Sequence, residues 1–206
     1  MTADSRPTPK KTTLAAASIS DLSSSLFDTM PMALWLEDYS ALRQQFEEWR
    51  QQGVTNLRSF LEGDQQHMQR CAESIQVLRV NQATLDLYGA QNVEELQAHL
   101  ADVLRDETYE AFISELEQLW NGDSAFQSRT VNYTLDGERL DLSLKAVVLP
   151  GHEADWSRVL VVVDDITELA SLYRRLIKEE AYARGVFEQS PVSLWVEDFS
   201  VIKQLL

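Results

Sequence analysis

The spacing of hydrophobic residues along the chain indicates both helices and strands. Apolar residues at helical spacing predict an amphipathic helix over 106–121, with Phe112, Leu116 and Trp120 on one face. Alternating apolar and polar residues over 138–149 predict a half-buried strand. The two patterns together favour a mixed fold in which helices pack against a sheet.

Strand patterns also occur on both sides of this strand, at 125–135 and 156–163. Asp136-Gly137 lies between the first two patterns and is a strong hairpin signal. The continuous apolar run of residues 159–163 predicts a central, well-buried strand. We therefore expect three adjoining antiparallel strands in this part of the chain.

Two further strand patterns lie in the first half of the chain, at 33–37 and 75–80. The residues between them, 41–74, carry helix signals and are interpreted as a helical insertion. Side chains suited to capping helix N-termini stand at Ser40, Thr55, Asp64, Asn81 and Asn92. The order of the elements predicts an α+β fold, with a five-stranded antiparallel sheet and helices on one face.

A polar segment after the last strand pattern predicts a long exit helix over 168–186. Thr167 is the expected N-cap of this helix. Leu169, Tyr173 and Leu176 fall near heptad spacing along it. This spacing fits a solvated linker helix and a dimer interface equally well.

A duplicated segment is the most informative feature of the sequence. Residues 27–46 read FDTMPMALWLEDYSALRQQF, and residues 187–206, at an offset of 160 residues, read FEQSPVSLWVEDFSVIKQLL. A period of this length indicates tandem domains rather than a solenoid of short repeats. We therefore expect 187–206 to be the truncated start of a second domain, and the chain to be a fragment.

The first 20 residues have a different character from the rest of the chain. Residues 1–20 are rich in Thr, Ser, Ala and Pro and show no hydrophobic period, which predicts a disordered leader. The first folded domain is then expected to span 21–167.

The net charge limits the classes of partner. The chain carries 33 acidic and 18 basic residues, a formal net charge of −15, which disfavours binding to nucleic acids or anionic lipid. It has no apolar run of about 18 residues, the length that a membrane helix needs, and no signal-peptide pattern. We therefore expect no membrane insertion and a cytoplasmic location.

Residue types that usually bind metals or act as nucleophiles are sparse. Cys71 is the single cysteine, so no intrachain disulfide can form, and we interpret it as a packing residue. The three histidines, His67, His99 and His152, lie on unrelated segments and match no metal-ligand spacing. The sequence therefore predicts no metal site.

Two pairs of adjacent carboxylates, Glu37-Asp38 and Asp164-Asp165, are the remaining candidates for acid–base chemistry. Successive residues of a strand point to opposite faces, so neighbouring carboxylates are poorly placed to converge on one substrate. Polarity at a strand end and charge at a helix N-terminus explain these pairs more simply. We therefore expect the chain not to be an enzyme.

Several segments, in the right order, resemble the PAS family of sensory domains. These segments are Phe27-x-x-x-Pro31 with Leu34-Trp35, Val80-Asn81-Gln82-Ala83 with Leu87-Tyr88-Gly89, Asp136-Gly137, and Asp165-Ile166-Thr167-Glu168. The helical insertion is similar to that of PAS domains in bacterial multidomain histidine kinases and diguanylate cyclases. The duplicated segment would then be the start of a second tandem PAS domain.

The resemblance implies that any ligand would lie between the helices and the sheet. The residues expected to face this space are Phe112, Leu116, Trp120, Leu142, Leu144 and Val161. The same residues would also form an ordinary helix-on-sheet core. No cofactor is indicated, because the cysteine motif of flavin-binding members and the helix histidine of haem-binding members are missing at the matching positions. The remaining ligand hypothesis is an unidentified small apolar molecule.

The resemblance also implies a signalling role. The residues expected to relay a signal are Asp165, Ile166, Thr167, Leu169, Tyr173 and Leu176. The leading hypothesis is a sensory module that forms a homodimer through its N-terminal and exit helices and drives an output domain absent from this chain. The alternatives are a ligand-free interaction module and, least favoured, a small carboxylate-based enzyme.

Overall fold

The computed structural model describes residues 19–103 and 108–189. The five strands of these residues are β1 (Ala33–Asp38), β2 (Gln76–Val80), β3 (Ala125–Tyr133), β4 (Arg139–Val148) and β5 (Val159–Asp165). The helices are α1 (Ile19–Thr29), α2 (Ser40–Gln51), α3 (Leu57–Gly63), α4 (Gln65–Glu73), α5 (Gln82–Tyr88), α6 (Val93–Ala98), α7 (Leu100–Val103), α8 (Tyr109–Trp120) and α9 (Thr167–Gln189).

The strands form one antiparallel sheet in the order β2-β1-β5-β4-β3. The three adjoining strands expected in the second half of the chain are confirmed. Their hairpin turns at Asp136-Gly137, where Gly137 adopts a positive φ of 86° that suits glycine. The apolar run of β5 is explained by its central place, because β5 pairs with β1 on one side and β4 on the other.

The alternation along β4 separates the two faces of the sheet. Leu140 and Leu142 are buried, whereas Lys145 is exposed. The buried face packs against helices, and α8 contributes Ile113 and Leu116 to the core. Each such side chain stabilises the fold by about 2 kcal/mol through removal of apolar surface from water. The expected α+β fold is thereby confirmed.

The helical insertion consists of α2, α3 and α4, between β1 and β2, and it extends the core. The Phe46 ring of α2 contacts the Trp120 ring of α8 edge-on, with centroids 5.2 Å apart. The Arg58 guanidinium of α3 donates to the Glu117 carboxylate of α8 over 2.8 Å. Apolar and charged contacts therefore both fix the insertion against α8.

Of the five N-caps expected before residue 100, three are confirmed and two are wrong. The confirmed caps are Asp64, Asn81 and Asn92, whose side chains accept backbone N–H groups of the first turn. Ser40 is the first helical residue of α2, because the Asp38 carboxylate accepts its backbone N–H. Asn56, rather than Thr55, caps α3 by accepting from the Ser59 N–H.

Two element boundaries also differ from the sequence-based expectation. The last strand begins at Val159 rather than 156, because Trp156 adopts a positive φ of 57° and turns its ring towards Phe46. The helix expected to follow Asn92 is divided into α6 and α7 at His99, whose backbone is not helical. Of the expected leader over 1–20 and the expected second-domain start over 187–206, residues 1–18 and 190–206 lie outside the described residues, whereas 19–20 belong to α1 and 187–189 to α9.

Candidate functional site

A cavity of about 800 Å³ lies between the sheet and the helices. The sheet contributes Trp35, Val161 and Val163 to its wall, and the helices contribute Met68 and Phe112 among others. Most of the wall is apolar, which is typical of small-molecule pockets. Its volume also falls within the usual range for such pockets, about 300–1,000 Å³.

Three of the six residues expected to face a pocket border this cavity: Phe112, Leu144 and Val161. Leu116 and Leu142 lie elsewhere in the core, and each is 1% exposed. The alternation of apolar residues identified the inward face correctly, but it does not show which residues of that face border the cavity.

Trp120, the sixth residue expected at the pocket, lies away from the cavity wall. Its ring contacts Phe46 and lies under the Arg50 guanidinium, 4.4 Å from the ring centroid. The Arg50 guanidinium also donates to the Trp120 carbonyl over 2.6 Å. Trp120 therefore holds the end of α8 against α2.

Two carboxyl groups, those of Glu37 and Glu115, border the cavity. Glu37 Oε2 accepts from the Tyr39 hydroxyl over 2.9 Å, and Glu115 Oε1 accepts from the Ser128 hydroxyl. Burial raises the pKa of each carboxyl to about 7, and the nearby Glu115 charge further raises the pKa of Glu37. The cavity therefore contains acids that change charge near neutral pH.

The sequence contains a signal for these two acids. The interpretation of Glu37-Asp38 as strand-end polarity missed this signal. Glu37 lies two residues after Trp35 in β1, so both side chains point to the same, inward face. Glu115 lies three residues after Phe112, on the same side of the helix. An acid at an inward-facing position of an apolar pattern is the signal for both.

A second polar group in the cavity wall involves β3. The Asn132 side-chain amide donates to the Tyr88 hydroxyl over 2.8 Å. Two other buried atoms, Asn132 Oδ1 and Thr130 Oγ1, have no hydrogen-bond partner among the described residues. Burial raises the pKa of Tyr88 to about 12. Unpaired buried polar atoms are uncommon and call for an explanation.

The carboxylate pairs do not assemble a second site. Asp38 accepts the Ser40 N–H, and Asp165 Oδ1 accepts the Thr167 N–H over 2.8 Å, so both act on backbone at the start of a helix. In the described part of the chain, no three His, Cys, Asp or Glu residues are grouped as metal ligands. Cys71 is fully buried, and desolvation raises its pKa to about 12.

The junction between the sheet and α9 is organised by Asp141 of β4. Its carboxylate accepts two hydrogen bonds of 2.9 Å from the Arg174 guanidinium. Its backbone carbonyl accepts from the Ile166 N–H over 2.9 Å, and its N–H donates to Thr167 Oγ1 over 3.0 Å. The hydrogen bond from Arg174 is the main reason that the pKa of Asp141 is lowered.

Three of the expected relay residues lie at this junction, and three lie further along α9. Thr167 is the first helical residue of α9 rather than its cap, and its side chain is bonded to the sheet. The side chains of Leu169, Tyr173 and Leu176 are 60–65% exposed. The anchors that sequence reasoning missed are Asp141 and Arg174, which are 33 residues apart.

Among the described residues, no helix combines the length and apolarity required to cross a membrane.

Comparisons with known proteins agree with this architecture. The family model described as "PAS fold" matches residues 61–171, which is more than half of the chain. No curated protein matches the sequence. PAS domains are generally regulatory sensory modules of signalling proteins.

Solved structures with similar folds have low sequence identity to this chain. An RNA-binding light-oxygen-voltage receptor is 13% identical, with a TM-score of 0.50, and the match covers 88% of this chain and 42% of that one. A domain of a sensory box sensor histidine kinase/response regulator from Geobacter sulfurreducens is 16% identical, with a TM-score of 0.43, over 71% and 93% of the two chains. The PAS domain of a Colwellia psychrerythraea protein is 14% identical, with a TM-score of 0.47, over 73% and 98%. At these identities the likeness concerns the fold alone, and it is the family model that shows that this chain belongs to the PAS family.

Proposed function

We propose that this chain is a cytoplasmic sensory module that relays the state of its cavity through α9 to an output domain of the same polypeptide. The output would be of the histidine kinase or diguanylate cyclase type. The observation that supports this proposal best is the bidentate Asp141–Arg174 pair, which ties the cavity-bearing sheet to the exit helix.

The position of Asp141 gives the relay a physical basis. Asp141 lies between Leu140 and Leu142 in β4, so its side chain points to the face opposite these buried leucines. A shift of β4 caused by a ligand would change the geometry of the pair with Arg174. Such a ligand must bind two states of the module with different affinity, because only a differential affinity shifts an equilibrium.

The relay is tested in a polypeptide that carries this chain together with its output domain. Arg174→Gln removes the pair with Asp141 and should change the basal output activity severalfold. Arg175→Gln is the matched control, because the Arg175 side chain is largely exposed and pairs with Glu179 within α9. Equal output from the two variants and the wild type would contradict the relay.

A second candidate function, a ligand-free interaction module, is favoured by the exposed apolar stripe on α9. The stripe consists of Leu169, Leu172, Tyr173, Leu176 and Ile177, each at least half exposed. We propose that this stripe, together with α1, forms a homodimer interface in either function.

The dimer is tested by sedimentation equilibrium. Leu176→Glu should shift the chain to the monomer, because a charge in an apolar seam is costly to desolvate. Lys178→Glu places the same side chain at an exposed position of α9 outside the stripe and should leave the association unchanged. A monomeric wild type would contradict the interface. A dimer that binds no molecule in its cavity would favour the interaction module over the sensor.

A further inference from the structure

The two groups of the described cavity wall that can carry a charge near neutral pH, Glu37 and Glu115, are both acids. Glu37 and Glu115 contribute carboxyl groups, and Asn132 and Thr130 contribute unpaired oxygens. Asn132 and Thr130 are 5% and 7% exposed, so bulk water does not satisfy them. Among the described residues of the wall there is no Lys, Arg or His. The protein therefore supplies no positive charge to balance these acids within the part of the cavity that is described.

Each of the two carboxyl groups can also accept a further hydrogen bond. Each accepts one hydrogen bond from a protein hydroxyl, Glu37 from Tyr39 and Glu115 from Ser128, and its second oxygen has no partner among the described residues. Those two hydroxyl protons are already used, so they cannot be offered to a ligand. The wall therefore offers a ligand acceptors that can be negatively charged at Glu37 and Glu115, and a neutral acceptor at Asn132. The hydroxyls of Thr130, Tyr88 and Tyr109 can both donate and accept, so they do not disfavour a ligand that carries donors.

The chemistry of a fitting ligand follows from this imbalance. An anion would be repelled by two carboxylates, and a wholly apolar molecule would leave the buried acceptors unpaired, which costs about 1–3 kcal/mol for each group. A protonated amine has three donors and a positive charge, and it matches both requirements. The apolar wall formed by Phe112, Val161 and other residues suits an apolar body.

We propose that the cavity binds an organic amine, with the ammonium group on Glu37 and Glu115 and an apolar body against Phe112, Leu144 and Val161. This inference rests on the proposed sensory function, to which it adds the class of ligand.

Affinity should depend on pH in a defined direction. The amine binds the ionised carboxyls, so lowering the pH below their pKa of about 7 adds the cost of removing a proton. Affinity should fall about tenfold from about pH 8 to about pH 6 for each carboxyl that must lose its proton, and about a hundredfold if both must. The other titratable groups on the described wall are the phenols of Tyr39, Tyr88 and Tyr109, and burial raises the pKa of the first two.

The experiment compares three probes with the same body, namely phenylbutylamine, phenylbutanol and phenylbutyrate, by isothermal titration calorimetry at about pH 8. We expect the amine to bind at least tenfold more tightly than the alcohol, and the acid to bind most weakly. Glu37→Gln and Glu115→Gln should each weaken amine binding about tenfold or more and leave alcohol binding unchanged. Glu48→Gln, at an exposed position of α2 outside the wall, should change neither.

Three outcomes would overturn the inference. If the alcohol binds as tightly as the amine, the carboxyls do not recognise the head group. If the acid binds most tightly, the wall is not an acceptor site. If no probe binds, the cavity is not an amine site. The Arg174 and Arg175 variants test the relay without any ligand, so the inference and the proposed function fail independently.

Discussion

Replacing the cavity acids by glutamine should stabilise the protein at neutral pH. Glu37→Gln and Glu115→Gln keep the size of the side chain and remove a carboxylate that burial makes unfavourable. In the folded protein each pKa is raised from 4.5 to about 7, so the folded state holds a proton that the unfolded chain releases. The contribution of each of these acids to stability is therefore greatest below pH 4.5 and is lost as the pH rises through about 7.

The size of the effect follows from the same values. Raising the pKa of one carboxyl from 4.5 to about 7 corresponds to about 3–4 kcal/mol, since a tenfold change in the proton equilibrium is worth about 1.4 kcal/mol. This is an upper limit, because both acids border the cavity and keep part of their surface accessible. We expect each glutamine variant to be about 1–3 kcal/mol more stable than the wild type above pH 7, and the difference to disappear near pH 4.5.

The assay is urea unfolding of the wild type and both variants at several pH values between about 4.5 and 8. Differences between variant and wild type cancel the titration of groups elsewhere, such as Asp141. Glu48→Gln on the surface of α2 is the control and should differ little from the wild type at any pH. A stability difference that does not change with pH, or one that grows towards acid, would refute the view that burial raises these pKa values.

Three further predictions concern single positions. Asn81→Ala should lower the free energy of unfolding by about 2–4 kcal/mol, since the buried Asn81 side chain bonds the backbone of Met32, Leu34 and Thr84. In the same urea assay Asn92→Ala, which removes only an exposed cap, should cost about 1 kcal/mol. Equal losses in the two variants would contradict the structural role assigned to Asn81. Gly89→Ala should destabilise the protein by about 1 kcal/mol, because Gly89 has a φ of 71°. Gly63→Ala, in ordinary helical backbone, should be neutral or stabilising. A lower melting temperature for the Gly63 variant than for the Gly89 variant would exclude this explanation. Arg174→Gln should speed amide hydrogen exchange at the start of α9, whereas Arg175→Gln should not. Unchanged exchange in both variants would show that the pair with Asp141 does not hold the helix.

Local signals in the sequence were sufficient for most of the elements. Asp64, Asn81 and Asn92 were recognised as caps because a short polar side chain before an apolar run can accept the first free N–H groups. The apolar run of β5 indicated its central place in the sheet. The cap expected at Ser40 was wrong, because Asp38 accepts the N–H of Ser40 itself and Ser40 is already the first residue of the helix.

The candidate site was less accessible to sequence reasoning, because its polar contacts join distant residues. Tyr88 and Asn132 are 44 residues apart, and Asp141 and Arg174 are 33 residues apart. No helical or strand period connects such pairs, and they become apparent only when the strand order is known. The expected pocket shared three residues with the cavity, because periodicity gives the face of an element but not the position along it.

One strand, β4, links the two features on which the proposed function depends. Leu144 borders the cavity on one face of the sheet, and Asp141 anchors α9 on the other. Residues three apart in a strand point to opposite faces, so a side chain under the cavity and an anchor for the exit helix occupy the same short piece of backbone. Because β4 is hydrogen-bonded on both sides, to β3 and β5, it can move only together with its neighbours. A ligand that displaces Leu144 must therefore act on the sheet as a unit, and the Asp141–Arg174 pair is where such a displacement would reach α9.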